Sequence, residues 1–310
     1  MPSLSRRKLL TTTGLALAGM SVHASVRLRT AHGIEPVRQP GEGQLKLALA
    51  GYSLRSYLTL RPGTERSLDL FGFVDYCASL GLDGAELTQY YFPPETTQDY
   101  VLRLKRHAHL AGVDITGGAI RDNVTVAAGA DRDKELDHIQ QWVEHYADLG
   151  APVIRVFAGR PASDVAPELA VERAAEALQL ASDRAGERGV MLAIENHDFT
   201  TNIDYLMQIV QRVDSPWFGV NFDSGNFSES SDPYGDMARI APYAVNAQMK
   251  ARINSQNGSQ AADFPRIVGI LREAGYRGYL TFEYEEKPDP YEEIPKYLDQ
   301  LRAALRSPTS

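Results

Sequence analysis

The chain has 310 residues, 43% of them hydrophobic and 23% charged, with a formal net charge of −8 at pH 7. That length buries a substantial core and suits one large barrel or two ordinary domains. An acidic chain is poorly suited to neutralising phosphates, which argues against a nucleic-acid partner, and a single cysteine, Cys77, excludes an internal disulfide.

Residues 1–24 read as an export signal. Arg6-Arg7-Lys8 precede an uncharged stretch from Thr11 to Val22, and Val22-His23-Ala24 forms an A-x-A-like cleavage end. Paired arginines directly before the apolar run predict the twin-arginine route, and hence the periplasm. A protein exported without disulfides fits that route. The run is about half of the roughly 20 residues a spanning helix needs, so no stable membrane anchor is expected after cleavage. Cleavage would remove 24 residues and three positive charges, leaving 286 residues and a net charge of −11.

Residues 25–43 contain Pro36, Pro40, Gly41 and Gly43 and read as a linker, with the catalytic domain spanning 44–306. From Leu45, short apolar runs recur eight times, at 45–51, 82–87, 113–120, 152–158, 190–195, 217–222, 243–249 and 278–284. Each is rich in β-branched or aromatic residues, as buried strands are. Helical spacing fills the intervals. Residues 71–80 place Cys77 in an apolar helical pattern, 134–149 put Leu136, Ile139, Trp142, Val143, Tyr146 and Leu149 near one face, and 166–188 are rich in good helix formers. Gly81, Gly112, Gly150, Gly189 and Gly275 fall just past helix ends. Eight strand–helix units in about 260 residues predict a (β/α)8 TIM barrel. An open doubly wound sheet would carry a glycine-rich phosphate turn after an early strand, and the sequence has none.

Chemistry in such a barrel sits at the C-terminal strand ends. Strand five ends in Glu195-Asn196-His197, strand six in Asn221-Phe222-Asp223, strand seven in Gln248-Met249-Lys250 and strand eight in Glu283-Tyr284-Glu285. Converging buried carboxylates are costly unless a cation joins them, so four oxygen-bearing strand ends on one rim predict a divalent metal.

Four segments, in their order and separation, resemble the sugar phosphate isomerase/epimerase superfamily of xylose isomerase-like barrels. They are Gly81-Leu82-Asp83-Gly84-Ala85-Glu86-Leu87, Ala193-Ile194-Glu195-Asn196-His197, Gly219-Val220-Asn221-Phe222-Asp223 and the stretch from Tyr276 to Glu285. The resemblance runs from about Leu45 to Leu305. It implies one metal held by Glu195, Asp223, Gln248 and Glu283, where Gln248-Met249-Lys250 replaces the family's His-x-Lys. An amide oxygen suits a hard cation, which favours Mn²⁺ or Mg²⁺, with Zn²⁺ as the alternative. It also implies Glu195 and Glu283 as the acid/base pair, with the enediolate of a sugar as the intermediate. His197 resembles a substrate-orienting histidine. Lys250, Arg155 and Glu86 are further substrate-binding candidates; Arg155 and Glu86 read equally well as members of a structural ion pair. Tyr52, Tyr90, Tyr91, Phe92 and Tyr284 are either sugar-stacking faces or packing.

The expected function is thus a metal-dependent isomerase or epimerase of a small-molecule carbohydrate. The competing readings are a metal-assisted lyase or hydratase of keto-glycosides, and a non-catalytic carbohydrate-binding barrel. Oligomeric state stays open. A multi-zinc DNA-repair nuclease would need a histidine-rich rim, and His197 is the only histidine beyond residue 145.

Overall fold

The computed structural model describes residues 33–37, 44–59 and 67–306. The expected export signal and most of the expected linker lie outside the described residues. The part of that linker that is described packs on the barrel. The Val37 N–H donates to the Pro242 carbonyl at 2.8 Å, and a Cβ at Gly33 would stand 2.4 Å from the backbone of Gln211.

All eight expected strands form one closed parallel barrel. In chain order they are β1 (Leu45–Ala50), β2 (Gly84–Thr88), β3 (Asp114–Ala119), β4 (Val153–Val156), β5 (Met191–Glu195), β6 (Phe218–Asp223), β8 (Ala244–Lys250) and β11 (Gly278–Glu283). β1 closes the ring by pairing with both β2 and β11. Each strand feeds a helix that returns the chain: α2 (Leu70–Ser79), α3 (Gln98–Ala111), α4 (Ala130–Leu149), α5 (Pro167–Glu187), α6 (Ile203–Val210), α7 (Pro233–Ile240), α8 (Phe264–Glu273) and α9 (Pro290–Arg306). A further one-turn helix, α1 (Arg55–Leu58), follows β1. Among the described residues no helix is long and apolar enough to cross a membrane.

Local chemistry sets these elements. α5 opens with Pro167 and Glu168 in its first turn and carries Arg184 in its last, matching the helix dipole. It buries Ala170, Ala174, Ala177, Leu178, Ala181 and Ala185 at three- and four-residue spacing. α4 starts a turn earlier than expected, because Asp131 and Asp133 suit a first turn as well as they suit a loop. Gly112 and Gly150 cap α3 and α4 with φ of 72° and 84°, a region that costs glycine nothing.

The main apolar layer lies between barrel and helices, with Leu49, Phe73, Cys77, Tyr146 and Phe282 fully buried. The barrel interior near its C-terminal end is polar instead. Along β8, Ala247 and Met249 alternate with Asn246, Gln248 and Lys250, so the two periods of the strand serve different layers. Irregular register occurs at Ala85/Glu86 in the β2–β3 pairing and at Val220/Asn221 in the β6–β8 pairing. Both irregularities sit at polar interior positions, where a local bulge re-aims a side chain.

One element was not expected. β7 (Asn226–Phe227), β9 (Arg252–Ser255) and β10 (Gly258–Ala261) form a small sheet beside the barrel mouth. Every residue of β10 is exposed, so this strand carries no apolar alternation. The Asn257-Gly258 dipeptide was the readable hairpin signal. Arg252 donates to Ser259 within this hairpin, at 2.9 Å to Oγ and 2.8 Å to the carbonyl.

Candidate active site

A cleft of about 470 Å³ opens at the C-terminal end of the barrel. Glu195, His197, Lys250, Glu283 and Arg155, all expected site residues, line it together with Glu285. Tyr52, Tyr90 and Phe157 supply aromatic faces, while Asp122, Arg121 and Arg160 complete the polar wall. Of the other aromatic candidates, Tyr91, Phe92 and Tyr284 are buried in the core and serve packing.

Two buried cations organise the acids. Arg155, on β4, places Nε 3.1 Å from Glu195 Oε2, donates from Nη1 to the Ile120 carbonyl, and lies over the Phe157 ring at 3.8 Å. Lys250 ends β8 and places Nζ 2.9 Å from Glu285 Oε1, 3.2 Å from Glu283 Oε1 and 3.3 Å from Asp223 Oδ2. Burial opposes charge on both groups, but the surrounding carboxylates, joined at Arg155 by Tyr90, outweigh it and hold both pKa values above their ordinary range.

The acids respond to the same competition. Burial pushes Glu195, Asp223 and Glu283 each up to about 7, although Lys250 pulls all three down and Arg155 also pulls on Glu195. Glu285 goes the other way: burial raises it, and the direct Lys250 contact more than compensates, leaving it below the usual range. Asp122 rises to about 8 through burial, with Phe157 N–H donating to one oxygen at 2.9 Å and the other accepting no hydrogen bond. His197 packs on Phe157 with ring centroids 4.5 Å apart, and burial lowers its pKa, so it is neutral near pH 7.

Three expected site residues are elsewhere. Glu86 does not reach the cleft. Its Oε1 accepts from Gln248 Nε2 at 2.7 Å and its Oε2 from Asn246 Nδ2 at 2.9 Å, deeper in the barrel. Glu86, expected to contact substrate, is instead found as the anchor of an internal amide network and does not line the cleft. A carboxylate only accepts, so each amide must turn its NH₂ toward Glu86. That turns Gln248 Oε1 away, where it accepts from Asn221 Nδ2 at 2.7 Å. Asp223 is fully buried beneath the cleft, with Oδ1 accepting from Gly225 N–H at 2.7 Å.

These donors do not fit a divalent metal as they stand. Gln248 is committed to the amide network, Glu195 to Arg155 and Asn226, and an ammonium stands among the remaining carboxylates. Among the described residues no group of three or more His, Cys, Asp or Glu side chains is arranged to hold a metal. Glu195, Asp223, Gln248 and Glu283, expected to hold Mn²⁺, Mg²⁺ or Zn²⁺, do not come together as one donor set here, because the Glu86 anchor turns Gln248 away from the three carboxylates.

The turns that carry these groups are stitched by short polar side chains. Asn196 receives the Asp223 N–H at 2.9 Å and donates to the carbonyls of Asp223 and Asn226, tying the end of β5 to the end of β6. Thr200 Oγ1 donates to the Glu195 carbonyl at 2.7 Å. Asp198, at φ 48°, is the one described non-glycine residue with positive φ, and it is held by Arg160 at 2.7 Å. Arg55 donates to the carbonyls of Tyr284 and Glu285, bracing the turn that presents Glu285. Asp122 and Arg160 were missed in the sequence because they lie in loops with no pattern around them, Phe157 because the 152–158 run read only as a buried strand, and Asn226 because β7 was not expected. Glu285 was legible, two residues beyond Glu283.

A parallel barrel whose mouth combines near-neutral buried carboxyl groups with fixed cations defines an enzyme-like TIM barrel. The xylose isomerase-like TIM barrel family model matches residues 74–301, and the chain belongs to that family. Comparison with curated proteins gives no match. Among solved structures, D-psicose 3-epimerase in the presence of D-fructose superposes with a TM-score of 0.69 at 16% identity, covering 85% of this chain and 100% of that one. A xylose isomerase domain protein from Planctomyces limnophilus gives 0.63 at 16% identity, covering 85% and 98%. The 3-keto-D-glucoside 4-epimerase from E. coli gives 0.63 at 14% identity, covering 84% and 100%. At such identities these likenesses bear on the fold.

Proposed function

We propose that the protein is a sugar isomerase or epimerase that moves a proton at a carbon next to a carbonyl group of a small carbohydrate. The observation that carries this reading is the pair Glu195 and Glu283, both lining the cleft with carboxyl groups brought to about 7. A carboxyl group with that pKa is populated in both forms near neutrality, as general acid–base work requires. β6 and β8 separate their strands, so the two approach a bound sugar from different sides.

Ionised Glu195 takes the proton from carbon, and the C–H electron pair becomes the new C=C bond. The carbonyl π pair moves to oxygen, where the positive charge of Lys250 or Arg155 offsets it. Protonated Glu283 returns a proton to carbon, giving the epimer or the isomer. Neutral His197 and the Tyr52 and Tyr90 faces position the sugar. Two of the solved structures sharing this fold are, by name, sugar epimerases, which agrees with this substrate class.

The test is exchange of C–H for C–D in D₂O with free ketoses and keto-glycosides, followed by NMR. Wild type should exchange with one class, and Glu195→Gln or Glu283→Gln should slow it by about 10²–10⁴-fold. Absence of exchange with both classes would sink the reading. Loss of the β-substituent during exchange would assign a lyase instead.

A further inference from the structure

The Lys250 ammonium has a purpose-built seat. The Lys250 N–H donates to Ser224 Oγ at 2.8 Å, which fixes the residue at the end of β8. Its stem then runs past Gly225, where an added Cβ would stand 2.6 Å from Lys250 Cγ and 2.9 Å from Lys250 Cβ. Only a residue without a side chain leaves that path open. The Gly225 N–H in turn donates to Asp223 Oδ1, so the other oxygen of Asp223, buried and accepting no hydrogen bond, is left facing Nζ.

Charge points the same way. Asp223, Glu283 and Glu285 each direct an oxygen to within 3.3 Å of Nζ, and an ammonium has three donors to share among them. The fourth nearby acid, Glu195, is paired with Arg155. The separations from Nζ are those of an ammonium–carboxylate contact, about 1 Å longer than bonds to a divalent metal. Gln248, the one neutral side chain among the expected ligands, faces Asn221 and Glu86 instead.

We propose that Lys250 is the resident cation of this site, standing among Asp223, Glu283 and Glu285 in the position a divalent metal would take, so that the protein works without one. This deepens the function proposed above by naming its source of positive charge. The test is a Mn²⁺ titration of EDTA-treated full-length protein, read by electron paramagnetic resonance and calorimetry, for wild type, Lys250→Gln and Lys250→Gln with Asp223→Asn. Wild type should take up no Mn²⁺ in the micromolar range, and its melting temperature should not differ between Mn²⁺ and EDTA. Lys250→Gln, with the seat vacated, should bind Mn²⁺ at least tenfold more tightly than wild type, and Asp223→Asn should abolish that gain.

One equivalent of Mn²⁺ bound tightly by wild type would overturn the proposal. So would a folded Lys250→Gln protein as indifferent to Mn²⁺ as wild type. The wild-type titration decides alone if Lys250→Gln does not fold. Neither readout depends on turnover, so an error about the reaction leaves the result intact.

Discussion

Asp122 is the most directly testable residue, because its environment contains few competing groups. Burial raises it to about 8, with Arg155 and the Phe157 N–H opposing and Glu135 and Glu195 adding slightly. A carboxyl group raised in the folded state contributes stability that is fully present below its unfolded pKa of about 3.9 and is lost as pH rises through about 8. Asp122→Asn keeps an oxygen for Phe157 and removes the titration. Relative to wild type, the variant should gain unfolding free energy between pH 5 and pH 9, by on the order of a few kcal/mol, because over that interval unfolded Asp122 is ionised while folded Asp122 holds its proton up to about pH 8. Urea melts at the two pH values measure this. Equal pH dependence in both proteins would mean that Asp122 is ionised in the fold. Glu86 shows the same rule in a different setting: two amide donors offset the cost of its burial, and in doing so orient Gln248.

At the scale of elements, the mouth depends on how neighbouring strand ends are tied. Asn196 is fully buried and makes three hydrogen bonds from the end of β5, two of them to the fully buried backbone of Asp223 and one to the Asn226 carbonyl. Asn196→Ala would orphan the Asp223 N–H and leave two carbonyls short of a donor. Each unsatisfied buried group costs about 1–3 kcal/mol, so the expected loss is at least ~2 kcal/mol in a urea melt with an unchanged slope. The same change frees the turn bearing Glu195 and Asp223, so exchange in D₂O should slow further than stability alone accounts for. A variant as stable as wild type would show that water or a neighbour replaces Asn196. Arg55 plays a parallel part for the β11 turn, where its two donors hold the backbone carrying Glu285.

For the whole molecule, the barrel explains why polar residues far apart in sequence share one cleft: parallel strands all end on the same rim, and the connections return outside it. The family assignment over residues 74–301 belongs to this scale, as does the fate of the N-terminus. Arg6 and Arg7 directly before an uncharged run support export by the twin-arginine route to the periplasm, which we propose for this protein. Replacing both with lysine should trap the precursor in the cytoplasm, as measured by fractionation and the size of the processed chain. Normal processing of the twin-lysine form would discard that route.

Eight strands, their helices and the rim were legible in the sequence because each follows from a local rule. Apolar runs of four to eight residues make buried strands, three- and four-residue spacing makes helices, and a parallel barrel puts every strand end on one side. Glu195, His197, Lys250, Glu283 and Arg155 could therefore be placed at the mouth from position alone. Which oxygen meets which cation could not, because it depends on contacts between residues up to 162 positions apart, such as Gln248 with Glu86. Position alone makes Gln248 and Asp223 alike as candidate metal donors and leaves Glu86 a candidate substrate contact. The tertiary structure separates them, since Glu86 can only accept, and so turns Gln248 inward while Gly225 leaves Lys250 the path to the carboxylates. The small β7–β9–β10 sheet carries no apolar pattern of its own: β9 and β10 form a local hairpin, and only the tertiary structure brings β7 beside β9.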